Sequence, residues 1–368
     1  MSMCRSVATW LAPPTLVAVI ACGSGAGSDA PAVELPSDTP LAGSPAVGVA
    51  PCGSRFSFVR FVIDKHAEPY LFDEDADRFV RLPHEAQACS GPDRSAYRWT
   101  KAGVERLLDG VWVAAPTPEG MKPWKDWGDR DDGATLIAEA DGMVIAQSAG
   151  NVDLEETQRV WRVTKSGIED WGRPWLARFT GGCSTASGRV VLVGNKEEFR
   201  SEEDGFNFLT EELLTYENGA WQPPVQLAIG SGFPRLACVG ESAVLVADPS
   251  EPGSGAGMTE WEGLGAEVVT GAVATPVSSQ EQADRRRDYA LVVLDHDRLM
   301  RLGGVDSAEQ TRAETWILTV STRTWSPGPP LASPRKGGAA LARRDGSVLV
   351  LGGTDARGKG LGPELLHP

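Results

Sequence analysis

The chain has 368 residues, with 50 Asp and Glu against 35 Lys and Arg, for a formal net charge of −15. A body of that sign excludes the nucleic-acid backbone as a partner, because such binding draws on basic side chains and displaced counterions; it also keeps a protein soluble beside other surfaces. The 42 Gly, 26 Pro and 12 Trp describe frequent turns and large aromatic wedges, each contributing on the order of 1.5 to 3 kcal/mol when buried. Stretches of helical period are scarce, Glu203 to Leu214 being the best candidate, inside a loop insertion.

At the N-terminus, Arg5 precedes a mostly apolar run, Val7 to Ala21, too short to span a bilayer and read as a secretion signal over residues 1–21. The run ends in Val19-Ile20-Ala21-Cys22, which resembles a bacterial lipobox. The resemblance implies that Cys22 carries the lipid and begins the mature chain. Gly23 and Ser24 follow it, and the absence of Asp there resembles lipoproteins forwarded to an outer membrane. An ordinary cleaved signal, giving a periplasmic or secreted soluble protein, and a misplaced start are the alternatives. From Gly23 to Pro51 there is no aromatic residue and no Lys or Arg. Residues 22–51 are therefore expected to act as an Ala/Pro/Gly/Ser tether with a reach of roughly 30 Å, leaving 52–368 as the folded domain.

Two apolar stretches open that domain, Phe56 to Asp64 and the hairpin-like Tyr70 to Pro83. Hairpin signals then recur: Gln87 to Thr100, Ala134 to Gly150, Gly182 to Asn195 and Ala237 to Asp248. Their turn centres fall roughly every 46 to 56 residues, the spacing of stacked units that cannot bury their own faces. Strand pairs carrying Trp or Tyr accompany them: Trp99 and Trp112, Trp161 and Trp171, Tyr216 and Trp221, and Trp261. Once Cys4 leaves with the signal and Cys22 is lipidated, four of the six cysteines remain, an even number that points to disulfides in an exported chain. Three pairings are open. Cys183 with Cys238 and Cys52 with Cys89 are favoured, because the first pair sits on the first strands of consecutive units and the second would pin the arriving chain.

The clearest repeat comes last. Ala290 to Gly304 (ALVVLDHDRLMRLGG) lines up 49 positions later with Ala339 to Gly353 (AALARRDGSVLVLGG), both ending in paired glycines. Glu314 to Trp325 adds two short strands carrying Trp316 and Trp325, followed by the Pro-rich Ser326 to Arg335. A hydrophobic strand ending in Gly-Gly, then aromatic landmarks, resembles a kelch repeat, with Thr319 where the family commonly places tyrosine. The resemblance implies an all-β fold related to the propeller domain of galactose oxidase: a kelch-type β-propeller of four-stranded antiparallel blades. Six hairpins imply six blades. The last unit stops after Pro363 to His367, the counterpart of its third strand, so N-terminal strands are expected to close the ring. If those strands complete a unit of their own, the blades number seven. A β-sandwich with fortuitous spacing is the alternative architecture.

Strand alternation puts turns between first and second, and third and fourth, strands on one face, and the remaining connections on the other. The second class is the long one: Ala114 to Asp132, Ser148 to Gln158, Lys196 to Thr210, Asp248 to Thr259 and Gly271 to Asp288. Loop length gathered on one face marks a binding surface in repeat proteins. Two clusters there combine rings with carboxylates: Trp124 and Trp127 beside Asp129, Asp131 and Asp132, and Phe199, Arg200, Phe206 and Phe208 among acidic residues. Rings that take C–H faces and carboxylates that accept hydroxyls suit sugars; the same residues also cap and solvate loops. Asp129, Asp131 and Asp132 are in addition a calcium candidate, though their spacing is not that of an EF-hand.

Catalysis finds little support. Copper oxidases resembling galactose oxidase need several histidines and tyrosines and a crosslinked cysteine, and this chain has four His. His296 lies between Asp295 and Asp297 in an expected hairpin turn. No nucleophile elbow or phosphate-binding loop occurs, although paired carboxylates for a hydrolase are plentiful. Arg285-Arg286-Arg287 reads as a solvated linker or as a dock for an anionic glycan or lipid head group. The expectation is thus a monomeric, cofactor-free module at the cell surface, without a metal site, that binds protein or glycan; the alternative is a surface enzyme acting on glycans, hydrolytic or copper-dependent.

Overall fold

A computed structural model describes residues 46–368 apart from 53–55, 64–65, 74–77, 83–86, 91–95, 101–102, 109–110, 120–133, 140–141, 148–158, 165, 175–177, 197–209, 228–234, 248–264 and 279–285. Every regular element among the described residues is a β-strand, and every pairing is antiparallel. The strands fall into seven successive sheets. The first holds β1 (Ala46–Cys52), β2 (Phe56–Ile63), β3 (His66–Asp73) and β4 (Arg78–Arg81), and the second holds β5 (Gln87–Ser90), β6 (Ala96–Thr100), β7 (Gly103–Leu108) and β8 (Val111–Ala114). The third is β9 (Ala134–Glu139), β10 (Gly142–Gln147), β11 (Arg159–Thr164) and β12 (Ile168–Gly172). In the fourth, β13 (Arg178–Ser184), β14 (Val190–Lys196) and β15 (Thr210–Glu217) are followed by an outer strand broken into β16 (Ala220–Trp221) and β17 (Val225–Gln226). The fifth contains β18 (Arg235–Val239), β19 (Ser242–Val246), β20 (Ala266–Thr270) and β21 (Val273–Pro276). A short ribbon of β22 (Arg286–Arg287) and β25 (Val305–Asp306) flanks the sixth sheet, which is β23 (Ala290–Val293), β24 (Arg298–Leu302), β26 (Thr315–Thr319) and β27 (Thr324–Pro327). The seventh has three strands, β28 (Lys336–Ala342), β29 (Val348–Thr354) and β30 (Glu364–Leu366).

The hydrophobic residues explain why these sheets stand next to one another. An antiparallel sheet with apolar side chains on both faces must cover both, and here each buried cluster spans neighbouring sheets. Leu71, Trp99, Met143 and Trp161 join the first three. Val144 and Leu192 join the third to the fourth, Leu213 and Leu245 the fourth to the fifth, Val268 and Trp325 the fifth to the sixth, and Met300 and Val350 the sixth to the seventh. A last cluster sets Phe72 and Phe79 of the first sheet against Ala339, Leu341, Leu349 and Leu351 of the seventh. The first strands follow the same order, each beside the next, with β28 beside β1.

Several expectations from the sequence are corrected here. Phe56 to Asp64 and Tyr70 to Pro83 do not complete the last sheet; their strands β2 to β4 belong to a sheet of their own that packs face to face on it. The helical reading of Glu203 to Leu214 fails where it can be checked, since Thr210–Glu217 is a strand paired along β14. Its intrinsic preference yields to a place inside a sheet, with Leu213 and Leu214 buried on opposite faces. Gly271 opens no long loop: it makes the tight turn between β20 and β21, with φ +60°. This valine-rich pair, without an aromatic residue, is the one that Trp261 was expected to mark; Trp261 lies outside the described residues. Trp99 belongs to a second strand rather than to an outer pair.

The repeat of 49 positions has a physical core that its glycines only hint at. Arg286 and Arg335 are equivalent across it, and both are buried. Arg286 donates from Nη1 to the carbonyls of Gly303 and Glu314, at 3.1 Å each, and its Nη2 lies 3.5 Å from the Glu314 carboxylate. Arg335 donates from Nη1 to the Gly352 carbonyl at 2.5 Å and from Nη2 to Gly362 at 3.0 Å and to Glu364 at 3.4 Å. Each guanidinium thus ties the Gly-Gly end of the second strand to the entry of the third. The second glycine of each pair is required by space: a Cβ on Gly304 (φ +91°) would sit 2.7 Å from the Arg287 carbonyl, and one on Gly353 (φ +79°) 2.8 Å from that of Lys336. The basic run Arg285 to Arg287 is therefore no solvated linker where it is described, because Arg286 is buried and Arg287 is ion-paired with Glu309.

Replacing Arg335 by Met removes the donor for two carbonyls and a carboxylate and is expected to destabilise the fold by about 2 to 4 kcal/mol. Urea unfolding measures it, and a loss below about 0.5 kcal/mol would contradict the assigned role.

Candidate functional site

The order of the strands places the long connections. Those between 147 and 159, 196 and 210, and 246 and 266 join second to third strands, and those between 114 and 134 and between 276 and 286 leave fourth strands. By alternation they all emerge on one face. The candidate ligand residues on them, Trp124, Trp127, Asp129, Asp131, Asp132, Phe199, Arg200, Phe206 and Phe208, lie outside the described residues, as does Cys22. Among the described residues no three His, Cys, Asp or Glu side chains converge in a way that would hold a metal ion.

On the opposite face the connections are short turns, and those of the fourth, fifth and sixth sheets touch one another. The fourth sheet's Ala186 donates its N–H to the Gly240 carbonyl of the fifth at 2.9 Å. The Ser187 hydroxyl donates to Glu241 Oε2 at 2.6 Å, and Arg189 Nη2 reaches the Glu241 carbonyl at 2.7 Å and Oε2 at 3.0 Å. Close below, a disulfide joins Cys183 of β13 to Cys238 of β18, Cα to Cα 5.6 Å. This is the pairing expected for those two cysteines; Cys52 and Cys89 lie in β1 and β5, with side chains outside the described residues. Gly240, with φ +57°, then lets the fifth sheet approach the sixth, since a Cβ there would meet the His296 carbonyl at 2.5 Å.

Between the fifth and sixth sheets this arrangement leaves a cleft of about 390 Å³. Val239, Val268, Val273, Thr275 and Val320 form part of its lining. Its rim carries Glu241, Ser242, Thr270, His296, Asp297, Ser321 and Arg323. Asp295 organises the turn below it, accepting from the N–H groups of Asp297 and Arg298 at 2.9 Å each and from Arg298 Nε at 2.7 Å. Asp297 in turn clamps the neighbouring turn: its carboxylate accepts the Ser321 N–H and hydroxyl, both at 2.7 Å, while its carbonyl accepts from Val320 at 2.8 Å. Ser242 and Thr270 share a hydroxyl contact of 2.7 Å. Arg323 stands at φ +54°, and its carbonyl accepts from Ser278 at 3.2 Å. Tyr289 holds the two sheets together from inside, its hydroxyl donating to the carbonyls of Val246 and Ala247, 3.0 Å from each. His296 is an exposed turn residue, as its position between two aspartates implies.

The Ser187 hydroxyl holds the Glu241 carboxyl below its ordinary value of 4.5; desolvation opposes this, and Arg189 adds to it. No protein-family model matches the chain, and no curated protein matches it. Among solved structures, one titled "Structure of YjhT" aligns over 90% of this chain and 96% of that chain, at 13% identity and a TM-score of 0.46. The antiparallel sheets, stacked in chain order, have a propeller-like architecture.

A lowered folded-state pKa stabilises the fold above the unfolded value and loses that contribution as pH falls through the folded one. For Glu241 the window therefore opens below 4.5. In Ser187→Ala the Glu241 titration, followed by carboxyl-detected NMR, is expected to move up toward 4.5; an unmoved midpoint would show that the hydroxyl does not set it.

Proposed function

We propose that this chain is an exported, kelch-type β-propeller that binds a protein or glycan at the cell surface and performs no catalysis itself. In this reading the seven sheets are seven blades, and the ring closes where Phe72 and Phe79 meet Leu349 and Leu351 rather than through a shared last blade. The observation that carries the binding role is the segregation of connections: the long ones all leave one face, while the other keeps short turns. A rigid ring with extended loops on one side is the arrangement in which loops recognise and strands only support.

The disulfide between Cys183 and Cys238 fits an oxidising compartment, which supports export. Residues 1–21 then serve as the signal and Cys22 carries the lipid at an outer membrane; the tether expected over 22–51 ends before Ala46, because Ala46–Cys52 is the first strand of the first sheet, and residues 46–368 form the propeller, acting as a monomer without cofactor. Trp124, Trp127, Phe199 and Phe206 supply the rings of the recognition surface, with Asp129, Asp131, Asp132, Arg200 and Phe208 beside them.

Screening the full chain on glycan arrays and against surface-protein extracts, with turnover assays in the presence and absence of copper, is expected to give binding without turnover. Replacing Trp124, Trp127, Phe199 and Phe206 together by Ala is expected to weaken that binding at least about a hundredfold with an unchanged circular dichroism spectrum. Retained binding would place recognition elsewhere, and turnover would favour the enzyme.

A further inference from the structure

We infer that residues 34–37, which lie outside the described residues, supply the fourth strand of the seventh sheet by docking along the open edge of β30. The partner of that edge is thus a segment of the chain itself, drawn from the stretch expected to be tether.

The seventh sheet is the exception in its series. Each of the other six has an outer fourth strand, continuous or broken, whereas the seventh stops at β30. On one side Glu364, Leu365 and Leu366 pair with Val350, Leu349 and Val348 of β29; on the other, no strand among the described residues meets them. Such an edge presents a row of backbone donors and acceptors and is a template for another strand. Its side chains already belong to two interfaces: Leu366 is buried in the cluster shared with the sixth sheet, and Leu365 is half-buried against the first.

The sequence before β1 repeats the sequence before β28. Ala46–Cys52 and Lys336–Ala342 are both seven-residue first strands and begin 290 positions apart. At the same offset Pro40-Leu41-Ala42 falls on Pro330-Leu331-Ala332, Gly48 on Gly338 and Ala50 on Ala340. Leu331 is the buried residue of its connection, seated between the sixth and seventh sheets with its N–H on the Ala313 carbonyl at 2.8 Å. Carried back, the offset sets Glu34, Leu35, Pro36 and Ser37 on Thr324, Trp325, Ser326 and Pro327, which are β27, the fourth strand of the sixth sheet. Trp325 lies opposite Leu318, and both are buried in one cluster. The counterpart is Leu35 opposite Leu366, because Leu366 pairs with Val348 as Leu318 pairs with Leu299, 49 positions earlier. Arg335 has no such counterpart, since Pro45 stands in its place.

Length and alternation both allow the docking. Eight residues, 328–335, lead from β27 to β28, and eight, 38–45, lead from Ser37 to β1. Both cross the same step, because β1 stands beside β28 as β28 stands beside β23. In the sixth sheet Gly328 donates to the Thr315 carbonyl at 3.0 Å, which fixes the alternation: by equivalence Glu34 and Asp38 donate inward, and the Pro36 carbonyl accepts from Leu365. Pro36 forgoes one donor, a loss confined to an outermost strand. The first sheet already rests on the seventh, so the added strand covers the edge of a ring that is closed without it. A fourth strand starts on the short-turn face. With the lipid at Cys22 proposed above, on which this consequence alone rests, the tether shortens to residues 23–33, with a reach of about 18 Å, and the long connections point away from the bilayer.

Hydrogen exchange on the unmodified full chain is the first test. The amides of Glu34 and Asp38 are expected to exchange at least about tenfold more slowly than those of residues 23–30; equal rates would overturn the proposal. Covalent linkage identifies the partner. In Leu35→Cys with Leu366→Cys, peptide mapping after mild oxidation is expected to find residues 35 and 366 joined within a monomer, and Glu34→Cys with Leu366→Cys, one position out of register, to give at least about tenfold less of the link. A link found only in dimers would assign the edge to a second copy instead, and no link in a double variant of unchanged circular dichroism would overturn the docking. Neither readout involves lipid or ligand, so failure here is distinct from failure of the export or recognition reading.

Discussion

Face-to-face burial between successive sheets is the constraint on which everything else rests. Each sheet has apolar residues on both faces, so no sheet is stable alone. Leu192 and Val193, adjacent on β14, show this in the smallest space: one packs toward the third sheet and the other toward the fifth. Burial of this kind contributes roughly 25 cal/mol per Å² of apolar surface, and it is available only if neighbours stand on both sides. The same demand at the two ends of the chain brings Phe72 and Phe79 against Leu349 and Leu351.

With the interiors so engaged, the polar chemistry is left to the edges. On the short-turn face one turn hands on to the next, from Ser187 and Arg189 to Glu241, from Gly240 to His296, and from Asp297 to Ser321. The Cys183 to Cys238 bond reinforces the first of these links, and in the chain-entropy picture closing so long a loop stabilises by up to about 4 kcal/mol.

The architecture was largely legible from the sequence because its signals are local. Alternating apolar runs with tight polar turns announced β5 with β6, β9 with β10, β13 with β14, β18 with β19, and the two final hairpins, and the 49-position repeat located the third strand of the last sheet at Glu364–Leu366. What escaped was decided by tertiary context. The role of Arg286 could not be told from a basic run, since only the fold brings the carbonyls of Gly303 and Glu314 to its guanidinium. Thr210–Glu217 carries helix-forming residues but is held between two faces. The cleft was invisible for a related reason: its residues come from four turns spread between Val239 and Arg323, and none of those turns carries a motif of its own. Of the lining residues the sequence singles out His296 and Asp297, and only as parts of a hairpin turn.

The meeting of the chain's two ends is the most exposed claim, and a double-mutant cycle between Phe72 and Leu349, which share one buried cluster, tests it most directly. If the first and last sheets pack as described, Phe72→Ala and Leu349→Ala each destabilise strongly, and the pair departs from additivity by at least about 0.5 kcal/mol. Additive losses, or a Phe72→Ala variant as stable as the parent, would mean that the first sheet does not rest on the seventh.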